Sequence, residues 1–429
     1  MTSVKICRLL LFIYFLARSV NAQQIPDHEP GMVDVREAMD RGIAYLVRHQ
    51  YRDGSFPADR VLTHPIGVTS WVAISLMETG FAPTAPPVQR ALGYLRSVPG
   101  NQPVQTHEIA LLLLALETAD SPDDRPRLLE LTLRLMSLQR SNGGWGSLPG
   151  DLEADPGLTA LALFALRGTA QLGIPVEQGV WSRGRAYFQN RQNADGSWGE
   201  PPIQSPLRDE DFSQVGATIR AISCLTLCDQ MLAQQNSRGD CEHCGQSRLA
   251  EDSSQARGLR WLRDRKTQPS SDGDARRAVA YYLHGLENSQ RLSGALFADE
   301  SDWLQSGLRQ ILERQDRATG AWPSNNEAIS TSQALLFLSK TMTPVLINKL
   351  RHGSRENADG REILDTDWNC HAGDVGTLAD MLAGRPGWPA RLTTQEVDLA
   401  GRDNLSARNL LEQAPLVVIT GSRAPVLSP

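Results

Sequence analysis

The chain has 429 residues, a formal net charge of −6, 41% apolar residues and six cysteines. The apolar share is ample for a packed core, and the length suits two domains or one large one. No basic arm or stripe is present, which speaks against nucleic acid as a partner. Beyond the N-terminus no stretch is long and apolar enough for a membrane helix.

Residues 1–22 read as a secretory signal. Lys5 and Arg8 form a basic start, Leu9 to Ala17 an apolar core, and Val20, Asn21 and Ala22 a peptidase site. Cleavage after Ala22 removes three cations and takes the formal charge from −6 to −9. The expected product is exported to the periplasm, the cell envelope or the outside. No Cys follows the cut, so no lipid anchor is expected. Residues 23–32 form a linker.

Residues 33–340 repeat one short sentence four times: Gln50…Gly54…Phe56, Gln139…Gly143…Trp145, Gln192…Gly196…Trp198 and Gln315…Gly320…Trp322. An amphipathic helix precedes each copy, as Val35, Met39, Ile43 and Leu46 show by their spacing before the first. A second helix follows, apolar on most sides and therefore buried. Three of these open with Gly67-Val68-Thr69, Gly157-Leu158-Thr159 and Gly216-Ala217-Thr218. Two further helix pairs lack the sentence, one from about Val88 to Ala119 and one from about Gln255 to Asn288. Six pairs with inner helices buried all round predict a mainly α, closed α/α toroid rather than an open solenoid. In the turns, glycine supplies a positive φ, the aromatic packs back over the outer helix, and Gln bonds freed carbonyls at that helix end.

Residues 341–429 change character. Thr343 to Lys349 reads as a strand, Asp374 to Leu382 as a helix, Gln395 to Leu399 as a short strand, and Pro415 to Gly421 as a buried parallel strand. This predicts a partial α/β domain, truncated or completed by a partner.

The Gln-Gly-aromatic sentences, joined to helix pairs opening with Gly-x-Thr, resemble the prenyltransferase and squalene-oxidase repeats of squalene–hopene cyclase-like toroids. The resemblance implies a terpenoid-cyclase fold over residues 33–340. Asp367-Trp368-Asn369, Asp374-Val375 and Pro415 to Gly421 resemble the opening of an uncharacterised bacterial domain with a glutamine-amidotransferase-like fold. In cyclases of the first family an Asp-x-Asp-Asp acid protonates the substrate. The nearest match here is Asp272-Gly273-Asp274-Ala275, which lacks the last carboxylate. Protein prenyltransferases of this fold hold zinc with Asp, Cys and His, and no Asp-x-Cys with a suitable downstream His is present.

Two constellations carry the remaining chemistry. Cys224 and Cys228 share a helix face, and Cys241-Glu242-His243-Cys244 follows in a polar loop. In an exported chain disulfides are favoured over a structural zinc site, and either would tether the loop. The reading calls for no other cofactor. Acids gather where the inner helices open: Glu108, Asp151, Glu153, Asp155, Asp209, Glu210, Asp211, Asp272, Asp274 and Glu327, with His64 and His107 beside them. Asp151, Asp155, Asp211, Asp272 and Asp274 are the candidates for acid–base work. Asp155 before Pro156 equally suits a helix cap. Two functions follow: a binding or scaffold module for an unidentified ligand or protein, or a terpene-cyclase-like, polysaccharide-acting or lipid-acting enzyme using the acidic mouth.

Overall fold

A computed structural model describes residues 30–58, 64–151, 153–199, 214–236, 253–264, 308–341, 345–351, 374–382, 392–397, 407–408, 411–412 and 414–420. Gly31–Glu242 and Leu249–Met342 form one compact unit, and Thr343–Pro429 belongs to a second.

The first unit is a double layer of helices. Outer helices are α1 (Pro30–Arg48), α3 (Pro86–Ser97), α5 (Arg125–Ser137), α7 (Gln178–Gln189) and α9 (Ser254–Asp264), with a further helical stretch over residues 308–313. Inner helices are α2 (Pro65–Glu78), α4 (Thr106–Ala119), α6 (Pro156–Gln171), α8 (Gln214–Asn236) and α10 (Glu327–Thr341). The inner helix expected near residues 272–288 lies outside the described residues. Pro65 and Pro156 begin α2 and α6, where their missing N–H costs nothing. Outer helices bury one stripe, such as Leu128, Leu131 and Leu135 of α5. In α4, by contrast, Ile109 to Leu113, Ala115 and Leu116 are all buried.

The inner helices pack in the order α8, α6, α4, α2, α10. The last unit has therefore come back to the first. Tyr45 of α1 donates to Glu327 Oε2 of α10 at 2.8 Å, across 282 residues of sequence. An open solenoid would leave these helices far apart, so the expected closed toroid is what the chain forms.

The repeated sentence is a clamp between neighbouring units. Gly143 sits at φ +90°, and its three counterparts lie between +86° and +93°. Trp145 Nε1 donates to Leu135 O of its own outer helix (2.8 Å), and its backbone N–H donates to Thr159 Oγ1 (3.0 Å). Thr69, Thr218 and Thr331 receive Phe56, Trp198 and Trp322 in the same way. Gln139 departs from expectation. It does not bond carbonyls at the end of its own helix. Its Nε2 donates to Gly143 O (3.0 Å) and to Val180 O of the next outer helix (3.0 Å), and its Oε1 accepts from Arg183. Gln50 pairs likewise with Arg90, Gln192 with Arg257, and Gln315 with Arg41. The physical reason is that the turn leaves its own helix pointing at the next one. Those carbonyls are nearer than the helix end. The second helix pair, α3 and α4, lacks the sentence, and there Arg127 donates instead to Val98 O, Pro99 O and Gln102 O.

The second unit holds a parallel sheet of β1 (Val345–Leu350), β2 (Thr393–Val397) and β3 (Leu416–Val418), in the order β2-β1-β3. Helix α11 (Asp374–Leu382) lays Val375 and Ala379 on Leu346 and Ile347. The stretch expected as a buried strand, Pro415 to Gly421, is corrected: β3 pairs only with β1 among the described residues, and Val417 and Ile419 are exposed. The central position belongs to β1, whose Asn348 is wholly buried and bonds Leu411 O and Gln395. Strand β2 begins two residues before the expected Gln395.

Candidate functional site

The described openings of the inner helices lie at one end of the ring, beside the turns. Their acids divide by environment. Asp155 caps α6, its Oδ1 accepting from Leu158 N at 2.8 Å, so the capping reading holds for it. Asp151 accepts from Leu148 N within its loop (2.7 Å), and Glu153 is exposed. Glu327 is engaged by Tyr45, whose hydroxyl is pushed up to about 12 by burial and then by Glu327. Asp209, Glu210, Asp211, Asp272 and Asp274 lie outside the described residues. Of the five named catalytic candidates the structure thus describes Asp151 and Asp155, one holding its loop and the other capping a helix.

It assembles a different group. Glu108 is 5% exposed, and its buried Oε1 has no hydrogen-bond partner among the described residues. The Gly67 backbone N–H, at the start of α2, serves the carboxylate. A methyl group added at Gly67 would lie 3.8 Å from His107 Cδ2 and 3.9 Å from Glu108 Cγ. The His64 and His107 rings are 6.3 Å apart, and Gln105 Nε2 meets His64 Nε2 at 2.9 Å. Burial raises the Glu108 carboxyl above the usual carboxylate range, an effect that a protonated His64 and the Gly67 N–H oppose. Burial, helped by any charge on His64, lowers His107 to about 4. Tyr94 of α3 is raised by burial, then by Asp53 and Glu108.

Glu108 occupies a register that α2, α6 and α8 give to glycine and α10 to Ile329. Gly67, Gly157 and Gly216 each stand two residues before the threonine that receives a turn aromatic. In α4, third from its start like Gly67 in α2, stands Glu108, and Ala110 replaces the threonine because the second helix pair has no turn aromatic. A buried, incompletely paired carboxylate costs a fold about 1–3 kcal/mol. The ring does not require it, since three other units do without.

Below this cluster the inner helices show a stripe of half-buried residues on otherwise buried surfaces. It comprises Trp71 on α2, Leu114 on α4, and Leu161 and Phe164 on α6. Each of these helices is flanked by inner neighbours and backed by outer ones. The remaining direction is the ring axis. At the far end stand Glu78, Glu117 and Arg167. Burial raises Glu117 to about 7, reinforced by Glu78, offset by Arg167 and reinforced again by Asp120.

The raised Glu117 has a testable consequence. Its neutral form is favoured by the fold. Its contribution to stability is present below about pH 4.5 and is lost as pH rises through about 7. Glu117→Gln therefore stabilises the protein at pH 8 by on the order of 2 kcal/mol and is close to neutral at pH 4.5. Urea unfolding at the two pH values checks this, and equal effects at both would contradict it.

Cys224 and Cys228 are fully buried in α8 and are not bridged to each other. Burial pushes both thiols up, far from reactive thiolates. Cys241, His243 and Cys244, the proposed partners for a disulfide or zinc, lie outside the described residues. So do Cys370, His284 and His371. Among the described residues no three His, Cys, Asp or Glu side chains form a metal-binding group, and no helix is long and apolar enough to cross a membrane.

Sequence reasoning placed Glu108, His64 and His107 at the mouth but gave Glu108 no precedence. It missed Tyr94 and Gln105. The signal available was the departure of α4 from the Gly-x-Thr opening.

No family model and no curated protein matches the sequence. Among solved structures, the chain is similar to a type II terpene cyclase from Scytonema bound to geranylgeranyl dihydroxybenzoate. Identity is 12%, TM-score 0.49, and coverage 72% of this chain and 98% of that one. An unsaturated glucuronyl hydrolase specific for heparin aligns at 9% identity and TM-score 0.48, over 72% and 95%. An α-1,6-mannanase of Salegentibacter sp. HEL1_6 aligns at 12% and 0.45, over 72% and 99%. The likeness lies in the arrangement of helices and assigns no activity to this chain.

Proposed function

We propose that the mature, exported chain is a binding module that takes an elongated apolar ligand into the axis of its helical ring. The observation that carries this reading is the half-buried stripe of Trp71, Leu114 and Leu161 beneath the Glu108 cluster. A face that bore only on the packed core would be covered like Ile109 to Leu113. Apolar surface left open along an interior direction is what a lipid-like ligand covers. The sheet-bearing second unit, like residues 237–252, is assigned no ligand.

The test uses diphenylhexatriene, an apolar probe without a head group. It binds the mature chain with a fluorescence rise and energy transfer from Trp71. Leu161→Trp, which fills the stripe, weakens it at least about tenfold. Absence of binding, or binding indifferent to Leu161→Trp, would contradict the reading.

The buried Glu108 beside His64 also suits acid–base chemistry on a bound lipid, because burial raises its carboxyl above the usual carboxylate range, the direction a proton donor needs. Turnover of an added lipid that disappears in Glu108→Gln would favour the enzymatic reading over simple binding.

A further inference from the structure

We propose that the outer face of α5 docks on an anionic membrane surface, with Leu129 and Leu133 entering the head-group layer and Arg125 and Arg134 meeting lipid phosphates on either side. The inference stands apart from the axial-ligand reading and uses none of its residues.

Helix α5 breaks a rule that its neighbours keep. An outer helix turns its polar residues to solvent. On that side α3 exposes Arg90, Arg96 and Ser97, and α7 exposes Ser182 and Arg183. On α5, Leu129 is 43% and Leu133 53% exposed, and among the described residues no other helix of the first unit exposes a large apolar side chain. The two leucines stand four residues apart and so share a face, with the exposed Pro126 beside them. The helical repeat places Arg125 at one edge of this face and Arg134 at the other.

Both guanidinium groups are anchored on neutral oxygens. Arg125 donates to Leu172 O after α6, and Arg134 donates to Gly100 O and Asn101 O after α3, at 3.4 and 3.2 Å. Glu130, the acid within α5, is taken up by Arg127 at 2.8 Å. Arg183 of the next outer helix likewise bonds the neutral Gln139. The exposed acids nearest in sequence, Asp123 and Glu177, stand just before the starts of α5 and α7, where helix ends attract them. In a chain of formal net charge −6, this face therefore reverses the sign locally. Leucines between cations on an outward helix suit a lipid surface, since the apolar groups enter the boundary layer while the arginines stay with the phosphates. A stable protein interface needs roughly 800 Å² on each side, and a 13-residue helix, about 20 Å long and 10 Å wide, offers much less.

The experiment sediments the mature chain, without residues 1–22, with two kinds of vesicle. One is phosphatidylcholine alone, and the other contains about one-third phosphatidylglycerol. The anionic vesicles bind the chain at least about tenfold tighter, and about 0.5 M salt removes the difference. Leu129→Gln with Leu133→Gln weakens binding to anionic vesicles about tenfold. Arg125→Gln with Arg134→Gln weakens it by a similar factor at low salt. Circular dichroism checks that each variant folds, and the leucine pair, being exposed, provides a test that does not disturb the anchoring hydrogen bonds. Equal binding to neutral and anionic vesicles would overturn the proposal. So would anionic binding unchanged by either double substitution in a folded protein. Absence of binding to both vesicles would also overturn it, in favour of an acidic protein partner.

Discussion

Gly143→Ala is expected to destabilise the helical unit by about 3–4 kcal/mol. Two effects combine. A side chain at φ +90° meets the usual penalty of the left-handed region, about 1–2 kcal/mol. In addition, its Cβ would stand 2.1 Å from the Arg183 carbonyl oxygen of the next outer helix. Backbone on backbone cannot rotate away, so the clamp between α5 and α7 must open. Gly173→Ala is the control. Gly173 has φ +82°, but nothing lies within 4 Å of an added methyl. It should show the φ penalty alone, about 1–2 kcal/mol. Denaturant unfolding of the two variants separates strain from collision. Equal losses would mean that the units are not in contact at the turn.

Trp145→Ala carries the other large effect, about 3–5 kcal/mol. The indole is wholly buried, and its N–H satisfies Leu135 O at 2.8 Å. Truncation leaves both a cavity and a buried carbonyl without its donor. The chain itself supplies a milder comparison. In the first unit the same place holds Phe56, which has no N–H and is buried just as deeply. Trp145→Phe should therefore lose only about 1–2 kcal/mol, most of it from the hydrogen bond. A Trp145→Ala loss below about 1 kcal/mol would show that the aromatic does not anchor the turn.

The four sentences made most of the helical unit legible. Their glycines demanded a left-handed turn, their aromatics demanded a helix end to cover, and the all-round apolar character of segments such as Thr159 to Leu166 demanded burial. All three are local properties that a sequence displays. The partner of each Gln is not local. Arg183 is 44 residues from Gln139, and Arg41 is 274 from Gln315. Even so a trace was present. In each of these outer helices the arginine is followed by a small residue, as in Arg41-Gly42 and Arg257-Gly258. Those glycines let Trp322 and Trp198 approach, to within 2.8 Å and 2.7 Å of where a Cβ would be. Periodicity analysis weighs apolar positions and passes over such a pair.

The mouth was legible as a place but not as a site. Ten acids near the helix openings look alike in sequence, because capping, loop anchoring and burial all use the same carboxylate. Contacts tell them apart: Asp155 has its cap, Asp151 its loop amide, and Glu108 an oxygen with nothing to bond among the described residues. In the second unit, the apolar run ending in Thr420 promised a buried strand. The sheet order puts β1 at the centre instead, and order is a property of strand pairing that no single segment contains.

A shared mouth exists only if the last helix pair closes on the first. Spin labels at Glu37→Cys on α1 and Arg317→Cys in the last turn, with Cys241, Cys244 and Cys370 replaced by serine, measure this by pulsed electron resonance. Gln315 bonds Ala38 O at 2.8 Å and Arg48 bonds Thr319 O at 2.8 Å, so a closed ring gives a narrow distribution below about 30 Å. Six helix pairs laid out in an open array would separate the labels by roughly 50 Å, and a distribution centred there would contradict the ring and the site within it.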